Sequence, residues 1–367
     1  MNQSSLDYVT SLYGGYWNFD FQDSCYMTNS YFPPDDFIDL LASNLRTLIQ
    51  AYPSTNRQIS SLVGALIGVE GQKVVVGNGA SELISAITGS LIKNVAIPIP
   101  AFEEYPNRAQ VLGKQVSPFM LSGDFHLDVA EFVAHVQNSG ANSAIIVNPN
   151  NPTGTILTRD EVTALVRSLS HLDLVLIDES FIEFSQVSPN PSIVDLVDTY
   201  PNLMIIKSMS KNYGVPGLRL GYIVSGNAAH IERIRQSVSI WSINSIAQSF
   251  LENLDRYQAQ FLESCEHVVA ATQKLFHDLE AIPGVTSYPT EGNYVLCQLD
   301  TNMNGTHVAT MLLDQFGVLI SDRSNKGGLG PNFIRIASRT EKENERLITA
   351  LDTICSSMGT VSTAKAE

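Results

Sequence analysis

The sequence predicts an α/β protein: a large, mostly parallel sheet covered by helices on both faces, with a smaller α+β domain beside it. Three observations predict this. The chain is 367 residues long, too long for one small core. Short branched apolar runs alternate with amphipathic helical stretches through its middle. Beyond a long helical stretch that ends near residue 279, the pattern turns shorter and mixed.

The elements follow in order. Val74-Val75-Val76, Val95-Ala96-Ile97, Ala144-Ile145-Ile146-Val147, Leu174-Val175-Leu176-Ile177 and Leu203-Met204-Ile205-Ile206 are too short for helices. They are apolar throughout, as strands buried on both faces are. Gly221-Tyr222-Ile223-Val224 makes a sixth strand. Each of the first five ends in a turn-forming or polar cluster: Gly77-Asn78-Gly79, Pro98-Ile99-Pro100, Asn148 to Pro152, Asp178-Glu179-Ser180, and Ser208 to Lys211. Ligands of open α/β sheets sit beyond the carboxyl ends of the strands, so these clusters are expected to line one crevice. Residues 243–279 read as one long connecting helix. After it come strands at 294–299, 318–321 and 333–337, a helix at 307–315 and a closing helix at 341–354. The expected division is an N-terminal arm and part of the small domain at 1–45, the large domain at 46–260, the small domain at 261–355, and a small, polar, disordered tail at 356–367.

Composition narrows the function. A formal charge of −15 and a pI near 4.8 argue against nucleic acid or an anionic membrane as partner. Cys25, Cys265, Cys297 and Cys355 are widely spaced, which suggests neither a zinc site nor a disulfide framework. The seven histidines are scattered, without HExxH, so no metal is expected. The chain opens without a basic leader or an apolar core, and no apolar run is long enough to span a membrane, so a cytoplasmic protein is expected.

The chemistry gathers around Lys207-Ser208-Met209-Ser210-Lys211 and Arg219. Lys211 sits on a tight connection at a strand end, because Pro216-Gly217 forbids a regular helix there. Burial lowers a lysine's proton affinity, and the neutral amine is the form that condenses with an aldehyde. The guanidinium of Arg219 and the hydroxyls of Ser208 and Ser210 suit a phosphate dianion. Pyridoxal phosphate carries both groups. Gly77-Asn78-Gly79-Ala80-Ser81-Glu82 opens a helix, so its amides and helix dipole suit a phosphate; alone, it is equally a plain turn with Ser81 as N-cap. Asp178 ends an apolar strand, where a carboxylate needs a cation; a protonated pyridine nitrogen is one, and the N-terminus of the next segment is the alternative.

Taken together and in this order, Tyr52-Pro53, Gly77-Asn78-Gly79, Pro100-Ala101-Phe102, Asn150-Asn151-Pro152-Thr153-Gly154, Asp178-Glu179-Ser180-Phe181, Ser208 to Gly221 and Arg335 resemble the fold-type I pyridoxal-phosphate enzymes. The branch is that of histidinol-phosphate aminotransferase and threonine-phosphate decarboxylase, and the resemblance runs from about Trp17 to Leu351. It implies an aspartate aminotransferase-like fold, pyridoxal 5'-phosphate as cofactor and a homodimer. Lys211 would form the Schiff base and carry the α-proton, and Asp178 would pair with the pyridine nitrogen. Asn151 would donate to the phenolic oxygen, and Phe102 would stack on the ring. Gly79, Ala80, Ser81, Ser208 and Arg219 would hold the phosphate, with Tyr52 reaching it from the neighbouring subunit. Arg335 would clamp the substrate α-carboxylate, while Tyr31 and Arg323 would read the far end of an amino-acid substrate.

The departures concern the reaction. Phe181 stands where many aminotransferases of the branch have a tyrosine, and it resembles the decarboxylase side, as does Trp241-Ser242-Ile243-Asn244-Ser245. Met27 to Pro34 replaces the usual Asn-containing loop. The combination of Gly15-Tyr16-Trp17, Tyr31-Phe32-Pro33-Pro34 and Gly77 to Leu83 is similar to domains found fused to nucleotidyltransferases. An aminotransferase acting between an amino acid and a 2-oxo acid is the leading expectation. Decarboxylation, or elimination with cyclisation, is the alternative. The aromatic residues Tyr13, Tyr16, Trp17, Phe19 and Phe21 are either a lid or packing.

Overall fold

A computed structural model describes residues 5–324 and 326–363. Seven strands build the large sheet: β2 (Val74–Asn78), β3 (Asn94–Ile99), β4 (Gln115–Met120), β5 (Ser143–Val147), β6 (Leu174–Asp178), β7 (Leu203–Ser208) and β8 (Leu220–Val224). Their order is β2-β8-β7-β6-β5-β3-β4; β8 runs antiparallel to both neighbours, and the other pairings are parallel. The six apolar runs are therefore strands, buried on both faces. Val75, Ile97, Ile145, Leu176 and Ile206 pack under helices Gly79–Leu91 and Ala228–Ser237. The alternate residues Val74, Ala96, Ile146, Val175 and Ile205 face the main core.

A five-stranded sheet forms the smaller layer, in the order β1 (Gln22–Ser24), β11 (Val318–Asp322), β12 (Phe333–Ala337), β10 (Tyr294–Leu299) and β9 (Val285–Ser287). Strand β1 pairs in parallel with β11, which ties the N-terminal segment to the C-terminal sheet. Three strands escaped the sequence reading. All lie at sheet edges, where apolar runs are not required; β4 even carries Pro118.

Two helical expectations change. The stretch at 243–279 is not one helix: Ser245–Asn253 and Gln258–Glu280 are separated by a 3₁₀ turn, Leu254–Tyr257. Phe250 and Tyr257 there sandwich Phe37, with ring centroids 4.9 and 4.2 Å away. The closing helix runs Glu341–Thr363, past Ile354 and into the stretch expected to be a disordered tail. Ser, Thr and Met are all compatible with helix once Leu347, Leu351 and Ile354 bury one face against the small sheet. Residues 364–367 lie outside the described residues. Among the described residues no helix is long and apolar enough to cross a membrane.

Candidate active site

The carboxyl ends of β2, β3, β5, β6 and β7 deliver Gly79, Phe102, Asn151, Asp178 and Lys211 to one edge of the sheet, as the strand-end clusters predicted. Because β8 runs the other way, Arg219, which precedes it, arrives at the same edge. Strands β11 and β12 bring Arg323 and Arg335 from the small sheet. In the register Ser321 lies opposite Arg335. Arg323, two residues beyond Ser321, therefore shares that face.

Lys211 stands in the one-turn helix Met209–Asn212 directly after β7. It is half-buried, and burial, then Arg335, then Arg219 push its ammonium down to about 8. Its own carbonyl accepts the N–H of Asn29 (2.8 Å), and the Asn29 side chain donates to Asn212 O (2.9 Å) and Ser264 Oγ (2.8 Å). The N-terminal loop is thus pinned to the lysine's backbone. The residue this loop brings over Nζ is Tyr26, whose ring centroid lies 6.0 Å away. Tyr31 points elsewhere: its ring packs on His267 (5.4 Å) and its hydroxyl meets the backbone of Glu341.

Asp178 is buried, and one oxygen accepts from Tyr105 Oη (2.7 Å) while the other accepts from the N–H (3.0 Å) and Oγ (2.5 Å) of Ser180. Burial outweighs these donors and raises the carboxyl above its usual range. It has hydrogen-bond donors but no ion pair among the described residues. Phe102, half-buried, meets Tyr105 edge-on at 5.9 Å. The Ser208 N–H donates to Ser180 Oγ (2.9 Å), so Ser180 links Asp178 to the lysine's strand.

The turn after β2 is built around Arg219. Gly79 has φ +74°, its N–H donates to Arg219 O (2.7 Å), and a Cβ added to it would lie 2.1 Å from Arg219 Nη2. A Cβ on Gly221 would lie 2.4 Å from the Ala80 nitrogen. Only glycine permits this close approach of turn, strand and guanidinium. Arg219 itself sits at φ +56° and is exposed, as is Ser81, while Ala80 is half-buried. Ser210 Oγ is buried without a hydrogen-bond partner among the described residues.

Arg335 is 2% exposed, and Nη1 donates to Asn151 Oδ1 (2.6 Å) and Nη2 to Cys25 O (2.9 Å), while its face lies over the Tyr294 ring at 5.5 Å. Burial and the neighbouring Arg323 push it down to about 9. The Asn151 carbonyl is thereby committed to Arg335, which leaves its amide free to donate. Nε of Arg335 and Nε of Arg323 are both buried without partners among the described residues. Phe181 packs edge-on against Tyr294 (5.1 Å), and the Tyr294 hydroxyl is spent on Asn150 O (2.7 Å), so Tyr294 does not replace the absent phenol. Tyr52 lies on the surface, 79% exposed and 4.5 Å from the Trp241 ring.

These residues fit pyridoxal phosphate: a lysine of lowered proton affinity, a buried carboxylate lacking a cation, a glycine turn under an arginine, an unpartnered serine hydroxyl and a free amide. Sequence reasoning missed Tyr105, Ser180, Tyr26 and Tyr294. Ser180, two residues after Asp178, was the one with a local signal; the others act through contacts between distant segments.

A profile of the family described as aminotransferase class I and II matches residues 40–351. The chain is 33% identical over 346 residues to the CMP-5'-(3-aminopropyl)phosphonate synthase of Streptomyces rubellomurinus, which takes in 94% of this chain and 54% of that protein. It spans about half the length of curated relatives of this kind. It is 29% identical to the L-serine phosphate decarboxylase of Sulfurospirillum multivorans, over 90% of this chain and 88% of that one. Among solved structures, the histidinol-phosphate aminotransferase of Clostridium acetobutylicum superposes with a TM-score of 0.84 at 26% identity, covering 92% of this chain and 99% of that one.

Proposed function

Since the chain belongs to the aminotransferase class I and II family, whose cofactor is pyridoxal 5'-phosphate, we propose that it decarboxylates an α-amino acid bearing a phosphoryl group at its far end. This favours the lyase alternative over the transamination the sequence first suggested. Two of the relatives named above support it: one is named an L-serine phosphate decarboxylase, the other a CMP-5'-(3-aminopropyl)phosphonate synthase.

The single observation that carries the reading is the Phe181–Tyr294 pair, which leaves that position without a free phenol. Phe181 withholds the hydrogen bond a tyrosine would give to the cofactor's phenolic oxygen, the difference that marks the decarboxylase side of the branch. The bound cofactor supplies an aldehyde for the substrate amine and a ring that accepts the electron pair left at the α-carbon. The protein's own residues do the rest. Asp178 would hold a protonated ring nitrogen, and Tyr105 and Ser180 hold Asp178. Arg335 is held by Asn151, Cys25 O and Tyr294 to grip the substrate carboxylate. Burial, Arg335 and Arg219 push the Lys211 ammonium down to about 8, which suits a group that would return a proton to the α-carbon after carbon dioxide leaves. Arg323, whose Nε has no partner among the described residues, would face the far end of the substrate.

The test supplies phospho-L-serine and related phosphoryl amino acids to the holoenzyme without any 2-oxo acid. Carbon dioxide release with the cofactor's visible spectrum unchanged is the expected result. Conversion of the cofactor to its amine form without carbon dioxide would mark transamination and overturn the reading. Lys211→Ala lowers turnover by about 10²–10⁴ for proton transfer alone, and borohydride no longer fixes the cofactor to the chain.

A further inference from the structure

Among the described residues Arg335 donates to neutral acceptors, Asn151 Oδ1 and Cys25 O, which leaves its charge for a substrate carboxylate. Arg323, on the same face of the small sheet, is different. Its Nη1 lies 3.6 Å from Glu103 Oε2, and Glu103 Oε1 lies 3.6 Å from Lys326 Nζ. Both separations exceed hydrogen-bond length, so the carboxylate tunes the local charge without locking either cation. Gly328, at φ +78°, packs so closely on Pro100 that an added Cβ would sit 2.9 Å from Pro100 Cδ. That contact holds the small-sheet segment against the loop that carries Phe102 and Glu103. The Arg323 side chain is 14% exposed, but Glu103 is 39% exposed. The subsite is therefore dry on the arginine side and open to solvent beside the glutamate.

We propose that Glu103 is a specificity residue of this distal subsite, which takes a singly charged, esterified phosphoryl group in preference to a free, doubly charged one. The proposal rests on the reading that the substrate carries a phosphoryl group. Arg323, Lys326 and Glu103 carry a net charge of +1, and Asp322, which also acts on Arg323, keeps the subsite from exceeding it. Attraction between ligand and site grows in proportion to the ligand's charge, while the cost of desolvating the ligand grows with its square. A site of net +1 therefore meets the cost of one charge but not of a second. An ester also needs room for its alcohol group, and the exposed side of Glu103 supplies it. A site meant for a dianion would gain from a neutral residue at position 103.

Calorimetric titration of the holoenzyme tests this at pH 8, where a phosphate monoester carries two charges. The probes are phosphoethanolamine and 3-aminopropyl phosphate, each compared with its phosphate methyl ester. None carries an α-carboxylate, so binding is read without decarboxylation. The wild type binds the esters at least as tightly as the dianions. Glu103→Gln gains about tenfold more affinity for the dianions than for the esters, the scale of one partly screened unit charge, and Glu103→Asp behaves as wild type. A wild type that prefers the dianions, a Gln variant that shifts both probes equally, or no binding of either at 10 mM overturns the proposal. If the charge preference holds while no carbon dioxide is released from any amino acid, the proposed reaction falls and the charge assignment stands. If carbon dioxide is released but the Gln variant leaves the preference unmoved, the assignment falls alone.

Discussion

Lys211 must be neutral to attack an aldehyde and charged to return a proton, and its surroundings set the balance. Burial and two neighbouring guanidiniums move it from the ordinary lysine range to about 8. In the cofactor-free protein this lowered value has a sign that can be measured. Between about pH 8 and the ordinary lysine value near 10.4 the unfolded chain holds a proton that the folded chain lacks, so stability rises with pH across that window. Below pH 8 both states are protonated and the folded state bears the full penalty. Lys211→Met is therefore expected to raise the unfolding midpoint of the cofactor-free protein at pH 7, with the gain shrinking toward pH 10. Acetic anhydride is expected to modify Lys211 ahead of the surface lysines, with a midpoint near pH 8 by peptide mass spectrometry. Residues of this kind are legible in a sequence because their chemistry constrains their type: Lys211, Asp178, Asn151, Arg219 and Arg335 were named and meet at one edge. Tyr105 and Glu103 were not, because a phenol serving a carboxylate 73 positions away, or a glutamate facing a distant arginine, leaves no local pattern.

At the scale of an element, β7 carries a second lysine that the chemistry does not use. Alternation puts Leu203, Ile205 and Lys207 on the face toward the main core, where apolar residues belong. Lys207 is buried there and pairs with Glu183 at 2.5 Å, opposite Tyr222 in the register. Glu179, also buried, accepts from Ser192 Oγ (2.7 Å) and the Ile193 N–H (3.0 Å), and burial raises its carboxyl. The two carboxylates raise Lys207 despite its burial, so it stays charged. Lys207→Met would leave buried carboxylates without their cation, a loss of about 3–5 kcal/mol in urea unfolding at pH 8. The loss is smaller near pH 5, because Glu179, already held above its ordinary range, then takes up a proton more readily. This network braces the end of the strand that delivers Lys211. The strand itself was readable because its apolar run ends abruptly in polar residues. Edge strands β1, β4 and β9 were not, since an edge tolerates polar residues and proline. The 3₁₀ turn that divides the long helical stretch was hidden for another reason. Its helical pattern continues unbroken, and the interruption coincides with Phe37, more than 200 positions away, seated between Phe250 and Tyr257.

For the whole molecule, the phosphate cradle stops at a surface. Arg219 and Ser81 are exposed in a single chain. Beside them lie Ile49 (69% exposed), Tyr52 (79%), Ile240 (76%) and Trp241 (49%), four large apolar side chains in one region. Hydrogen bonds fix this region to the cradle: Ser245 Oγ donates to Ala51 O (2.6 Å), and Asn244 Nδ2 donates to Leu218 O, next to Arg219 (3.2 Å). We propose that this apolar surface, continuous with the turn at Arg219, takes a second copy of the chain, with Tyr52 of each copy reaching the turn of the other. The net charge of −15 opposes that association at long range, and salt screens it. Light scattering is therefore expected to give the mass of two 40.1-kDa chains, with association tightening as ionic strength rises from 10 to about 150 mM. Trp241→Asp buries a charge in the contact and is expected to yield a monomer with an unchanged far-ultraviolet circular dichroism spectrum. It is also expected to hold the cofactor at least about tenfold more weakly, the worth of one lost charge-assisted or hydrogen-bonding contact. Tyr52→Phe, which keeps the ring and removes the hydroxyl, separates the two roles: it remains dimeric and loses cofactor affinity alone. A wild-type monomer that retains its cofactor through gel filtration would assign the cradle to one chain and leave the apolar surface without this role.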